Sequence, residues 1–211
     1  MNLLTEKAFE FSKTGIFSYS DVLVWLGEHR NSVRGIVKRA IGMGEIIHIR
    51  RGLYCLSPKY NRYGISRNVI ANLLYGPSYI SMEAALSIHG WIPEAVHSVV
   101  SVSSGRAKTF ETPVGYFDYV HIVQSPLFAG VERVEGDSAA FLVAKPLKAI
   151  VDYVVSRSKN WTDLEPLEES LRIDVESLCG LTAADFDELE DVYKSKRASR
   201  FLLGLRKELG K

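Results

Sequence analysis

The sequence predicts an α+β protein in two parts, a small basic head of helices closed by a hairpin and a larger body that mixes strands with flanking helices. Three observations point there. The apolar period is helical through most of the first 43 residues, then shortens towards two around a pair of arginines and a glycine. It turns helical again near residue 67 and shortens once more between 97 and 123. Charge is divided too: ten of the 26 basic and five of the 25 acidic residues fall in 1–66, so that part carries +5 and the remainder −4. A basic segment joined to an acidic one is the layout of a polyanion-binding head on a body of another kind.

The elements of the head follow in order. Leu4, Ala8 and Phe11 sit at helical spacing, which predicts a helix over 3–12 ending at Lys13-Thr14-Gly15. Ser18-Tyr19-Ser20-Asp21 has the S-x-x-D form of a capping box, with apolar Ile16 and Phe17 just ahead of it. The helix it opens carries Tyr19, Val22, Leu23 and Leu26 on one stripe, and Gly27 can end it. A polar link, Glu28-His29-Arg30, leads to a third helix capped by Asn31 or Ser32. There Val33, Ile36, Val37, Ala40 and Ile41 recur at i, i+3, i+4, i+7 and i+8, a complete core-facing stripe. The opposite face holds Asn31, Ser32, Arg34, Gly35, Lys38 and Arg39, with no acid among them. Gly42-Met43-Gly44 breaks the helix, and residues 45–57 predict a hairpin with Arg50 and Arg51 at its tip. Helix, helix–turn–helix and basic hairpin, in that order, describe a winged helix-turn-helix domain over residues 1–58. Its third helix would enter the major groove of duplex DNA with Asn31, Ser32, Arg34, Lys38 and Arg39, while Arg50 and Arg51 reach the backbone or the minor groove.

Residues 59–75 read as a linker and a connecting helix, with Ser66 able to cap a helix over 67–74. The body spans 76–211. Ser81 can cap a helix whose Met82, Ala85, Leu86 and His89 share a face, and Gly90 and Pro93 end it. Val99–Ser103, Ala107–Glu111 and Tyr116–Val123 look like an antiparallel meander, with turns at Ser104-Gly105 and Thr112-Pro113-Val114-Gly115. Ala139–Ala144 adds a further strand. Lys145-Pro146 opens a helix with proline at its first position, burying Leu147, Ile150, Val151 and Val154. Thr182-Ala183-Ala184-Asp185 is another capping box, and 195–209 is helical. The tail is polarised: eleven acids and one base, Arg172, lie between Asp163 and Asp191, whereas seven bases and one acid, Glu208, lie between Lys194 and Lys211. Helices of opposite sign can pair with each other, or the basic one can offer a second contact surface.

Several classes of function find no support. No apolar run approaches the ~18 residues of a membrane span, so no membrane association is expected. The N-terminus lacks the pattern of a secretory signal. Cys55 and Cys179 cannot build a disulfide framework or a complete structural zinc site, and buried thiols in a reducing cytoplasm are the expected reading. Phosphate-loop, dinucleotide, metalloprotease and hydrolase-elbow motifs are all missing. The histidines, His29, His48, His89, His97 and His121, show no metal-ligand spacing. His89 lies on an apolar stripe, where a satisfied core histidine is the ordinary role; His121 on a strand has no identifiable acid partner. Arg106 and Lys108 in a turn suit a phosphate but are also common in exposed turns. No cofactor and no metal are expected, and nothing positive marks an enzyme.

Other stretches carry a resemblance. Arg51-Gly52-Leu53-Tyr54 closes the hairpin; Pro77-Ser78-Tyr79-Ile80-Ser81-Met82-Glu83-Ala84-Ala85-Leu86 and His89-Gly90-Trp91-Ile92-Pro93-Glu94 follow in the body. With Phe110-Glu111-Thr112-Pro113-Val114-Gly115, Tyr119-Val120-His121-Ile122 and Lys145-Pro146-Leu147-Lys148-Ala149-Ile150-Val151-Asp152-Tyr153, they resemble the AbiEi family of transcriptional regulators, the antitoxins of type IV toxin–antitoxin systems. Lys145 stands where the family commonly has Pro-Glu-Lys-Ala, and the likeness covers roughly residues 15–155. The resemblance implies a winged-helix domain that binds double-stranded DNA at its own promoter and a C-terminal domain that supports antitoxin activity. It also implies a functional link to a nucleotidyltransferase-like toxin without a stable complex. The alternative is an enzyme acting on nucleotides or RNA whose basic head recruits substrate. A deep polar pocket with a carboxylate or histidine cluster would mark that case.

Overall fold

The computed structural model describes residues 1–211 apart from Glu28, His29 and Ala95, and describes Arg30 and Asn31 by their backbone alone. The expected link Glu28-His29-Arg30 and the side chain of Asn31 therefore lie outside the described residues. The chain divides into two compact units: Met1–Ile70 with Glu111–Gly115 and Glu135–Ala140, and Ala71–Phe110 with Tyr116–Val134 and Phe141–Lys211. Helices and a mixed sheet make it an α+β protein.

In the first unit, α1 (Leu3–Phe11), α2 (Tyr19–Leu26) and α3 (Arg30–Gly42) accompany a three-stranded sheet of β1 (Ile16–Ser18), β2 (Ile46–Arg50) and β3 (Leu53–Leu56). The sheet order is β1-β3-β2, antiparallel throughout. Residues 16–18, which read as an apolar lead-in to α2, are themselves the edge strand, and Phe17 pairs with Tyr54. The capping box ahead of α2 is formed: the Asp21 N–H donates to Ser18 Oγ at 3.2 Å and the Ser18 N–H donates to Asp21 Oδ2 at 2.7 Å. Gly27 ends the helix in the left-handed conformation, φ 59°.

All three helices and the sheet share one core. Leu4, Ala8, Phe17, Val22, Val33, Val37, Ala40, Ile46, Tyr54 and Leu56 are buried in it, and each fully buried aliphatic chain contributes roughly 1.5–3 kcal/mol by leaving water. The apolar stripe of α3 is narrower than its spacing suggests, for Ile36 and Ile41 lie at the margin and are only half-buried. Neither Asn31 nor Ser32 precedes α3, because the helix already includes Arg30. Buried Glu45 joins the start of β2 to the start of α1, accepting hydrogen bonds from Thr5 Oγ1 (2.6 Å) and the Asn2 N–H (2.7 Å).

The second unit is organised on a six-stranded sheet ordered β6-β7-β5-β4-β9-β8. Its strands are β4 (Ser78–Ile80), β5 (Ser98–Ser103), β6 (Lys108–Thr112), β7 (Gly115–His121), β8 (Val131–Glu135) and β9 (Ala140–Ala144). The antiparallel meander expected over 97–123 is corrected here. β5 and β7 run parallel, in register from Ser98↔Tyr116 to Ser103↔His121, and β6 lies outside β7 at the edge. Burial explains the order. β5 is buried at five consecutive positions, so both its faces are covered, as befits an interior strand. The polar run of β6 is mostly exposed and suits an edge.

β4 pairs antiparallel with β5 and parallel with β9. Helix α4 (Arg67–Leu74) leads from the first unit into the second; there α5 (Met82–Ile88) packs on β5 and on α6 (Pro146–Ser156), and α10 (Lys196–Glu208) packs on α6. Between them lie α7 (Glu165–Leu171), α8 (Val175–Cys179) and α9 (Ala183–Asp187), the last opened by the expected Thr182–Asp185 capping box. Gly204 lets α10 pass close to the chain: a Cβ there would sit 2.0 Å from the Thr162 carbonyl oxygen. Cys55 is buried on β3, where burial pushes its thiol up to about 12; Cys179 at the end of α8 is exposed. No described helix is long and apolar enough to cross a membrane.

Candidate nucleic-acid interface

Helix α3 turns one side to the core through Val33, Val37 and Ala40, and this fixes what faces out. Ser32, Arg34, Lys38 and Arg39 are exposed on the other side. Arg34 and Lys38 are one turn apart, so their cations lie along one line of the helix surface. Gly35 lies between them, and a Cβ built there meets only the Arg39 guanidinium, at 3.8 Å. The surface beside Gly35 is thus open to an approaching partner. No acid occurs in α3. Among the described residues, none of Arg34, Lys38 and Arg39 has a carboxylate within ion-pair distance.

The hairpin β2–β3 supplies the second group. Its turn is Arg51-Gly52, with Gly52 at φ +81°, a conformation that favours glycine. The register shifts between His48 and Arg50, a bulge that re-aims the strand just before the turn. Arg50 and Arg51 are both exposed. The unit therefore carries six of the seven residues expected at the interface on two exposed features, α3 and the hairpin turn; Asn31 is the seventh, placed by its backbone alone.

The second unit holds a polar cluster that sequence reasoning missed. Lys148 and Asp152, one turn apart on α6, are both fully buried. Asp152 accepts hydrogen bonds from Tyr79 (2.8 Å), Ser81 (2.7 Å) and Tyr193 (2.7 Å). Lys148 donates to Gln124 Oε1 and to the Tyr193 hydroxyl (2.9 Å), and Gln124 Nε2 donates to the Tyr79 hydroxyl (2.7 Å). Burial holds Lys148 below the usual lysine range against the opposing pull of Asp152, and raises the phenols of Tyr79 and Tyr193. Every hydroxyl that touches Asp152 thus stays a neutral donor. The space beside Lys148 is about 10 Å³, at the lower limit for a single water. The cluster holds β4, α6 and the segment around Tyr193 together. The only sequence signal was a lysine and an aspartate at i, i+4 inside an apolar helix, and that pattern ordinarily means a solvated edge.

Other singled-out residues are dispersed. The His89 ring bonds the Ala144 carbonyl at 2.9 Å, the satisfied role expected of it. His121 is exposed at the end of β7, and Lys108 lies over the rings of Phe110 and Tyr75. Among the described residues no group of histidines, cysteines and carboxylates is suited to a metal ion. In the tail, Arg206 pairs with Asp187 at 2.8 Å, so part of the basic helix does meet the acidic stretch before it. Lys196, Arg200 and Lys207 remain exposed on α10. No family model matches the chain, and no curated protein matches it either.

Proposed function

We propose that the first unit is a winged helix-turn-helix that binds duplex DNA, and that the protein represses its own promoter in the cytoplasm. The observation that carries this reading is the acid-free outer face of α3, with Arg34, Lys38 and Arg39, in the same unit as a hairpin turn bearing Arg50 and Arg51. Helix residues near the N-terminus meet base edges and later ones meet phosphates; turn arginines meet the backbone or the minor groove. The likeness to AbiEi regulators extends the reading to an antitoxin functionally linked to a nucleotidyltransferase-like toxin. The body is read as acting without catalysis of its own: among the described residues, buried Lys148 and Asp152 are engaged by Gln124, Tyr79, Ser81 and Tyr193. Nucleotide hydrolysis or transfer by the purified protein, abolished by His121→Ala, would overturn that last point.

The test of DNA binding is a gel shift with the promoter fragment against random DNA over a range of salt. Binding is expected to prefer the promoter and to weaken with a log–log slope of about −0.9 per phosphate contact. Equal affinity for both fragments at moderate salt would remove the reading. Arg34→Ala is expected to cost roughly 1–3 kcal/mol on the promoter and to relax preference at one base position, because a guanidinium grips guanine O6 and N7 with two hydrogen bonds. Replacing Arg50 and Arg51 together should weaken binding to every sequence alike and flatten the salt slope. An Arg34→Ala variant that loses both affinities equally would refute this division of labour.

A further inference from the structure

Beside the exposed face of α3, between that helix and the hairpin, lies a groove of about 280 Å³. Val37, Ile41 and Tyr54 give it an apolar floor, Arg34 and Lys38 stand on its helical rim, and Tyr19 and His48 complete it. Its lining contains no acid. The His48 ring lies on Tyr54, with centroids 5.3 Å apart and planes inclined by 35°; Tyr54 in turn stacks on Phe17 at 5.9 Å. His48 is exposed, Tyr54 and Phe17 are buried. The imidazole is thus the outermost plate of a three-ring pile anchored in the core.

These features specify a ligand. The plate and the apolar floor suit a flat ring presenting its face, and two cations on one rim suit an anion attached to that ring. A base stacked inside a duplex shows a helix only its edge, so the plate has no use for paired DNA. Aromatic side chains that end in solvent are instead the means by which proteins hold unstacked bases. The volume lies just under the roughly 300–1,000 Å³ of small-molecule sites, which leaves room for a single base and sugar.

We propose that the groove is a nucleotide site: one unstacked base lies against His48 over the apolar floor, and its phosphate meets Arg34 and Lys38. The proposal rests on the DNA-binding reading of α3 and deepens it. Because Arg34 and Lys38 serve both, a nucleotide in the groove and a duplex on α3 exclude one another, and occupancy of the groove becomes a means of releasing DNA. The same chemistry has two sources, a free nucleotide and an unpaired nucleotide in a strand.

The test is a calorimetric titration of the full chain with thymidine 5′-monophosphate, thymidine, inorganic phosphate and a short oligothymidylate. Displacement of a labelled duplex is measured alongside. The monophosphate or the oligonucleotide is expected to bind at least tenfold more tightly than phosphate or thymidine alone and to displace the duplex. His48→Ala is expected to weaken that binding roughly tenfold, with its thermal unfolding unchanged, and Lys38→Gln to weaken it further. Binding of the free monophosphate identifies the first source; His48-dependent binding of the oligonucleotide alone identifies the second. If the monophosphate binds no better than phosphate and the oligonucleotide is indifferent to His48→Ala, the proposal is wrong. The duplex gel shift of the unliganded protein stands apart from this titration, so failure of DNA binding and failure of the groove give different results.

Discussion

At the scale of single residues, Lys148 and Glu45 are the most exacting. A buried ion pair becomes a liability when one partner is removed, since the other is left charged and desolvated. Lys148→Met is therefore expected to cost about 3–5 kcal/mol in denaturant unfolding. Replacing Lys148 and Asp152 together by apolar residues should not recover it, because the Tyr79, Ser81 and Tyr193 hydroxyls then lose their shared acceptor. A small effect of Lys148→Met would refute the ionic reading of the pair. Glu45 gives a pH signature. The Thr5 hydroxyl and then the Asn2 N–H hold its carboxyl below its ordinary 4.5. The stabilisation is complete above about 4.5 and fades as pH falls through the lower folded value. Glu45→Gln should be less stable than the parent at neutral pH, and the gap should close in acid; a constant gap would refute the assignment. Neither residue was legible beforehand. An acid between a glycine break and a strand has no pattern, and burial of a lysine is a property of what packs around it.

Elements were more legible than residues, for reasons that vary with the element. The helices of the first unit lie close to where the apolar period placed them, and the capping box of α2 is formed, because both signals are local. The cap expected at Asn31 or Ser32 is not one, since α3 already includes Arg30. The bounds of α3 differ by a residue or so, and its stripe is narrower than the spacing implies: Val33 and Ala40 are fully buried but Ile36 is not. Val33→Ala should accordingly destabilise by about 1–3 kcal/mol, and more than Ile36→Val does. Strand order was the least legible feature. Adjacency in sequence suggested a meander, but β5 is buried on both faces and takes neighbours on both sides, which only long-range pairing reveals. Helix α10 carries a related lesson. Alanine normally stabilises a helix interior by about 1 kcal/mol over glycine. Gly204→Ala should instead destabilise, because the new carbon falls within 2.0 Å of a backbone oxygen that cannot swing away. A raised melting temperature would refute that contact.

For the whole molecule, the near-zero net charge conceals its division, and salt is the variable that exposes it. Added salt should weaken nucleic-acid binding while leaving the fold largely intact, because the core of the first unit is apolar and the ionic cluster of the second is shielded from ions. The candidate interface was legible in the sequence to the extent that cations without acids can be seen on a helix face. The groove beside it was not, since it joins α3 to β2 and β3 across the hairpin fold.

The two cysteines differ in their access to solvent. In the folded protein Cys179 meets a maleimide at once, whereas Cys55 is both covered and protonated and reacts only when β3 opens. A second adduct therefore clocks the exposure of β3. Its rate in increasing urea follows whichever opening, local or global, first uncovers that strand. A ligand that settles beside α3 should slow it.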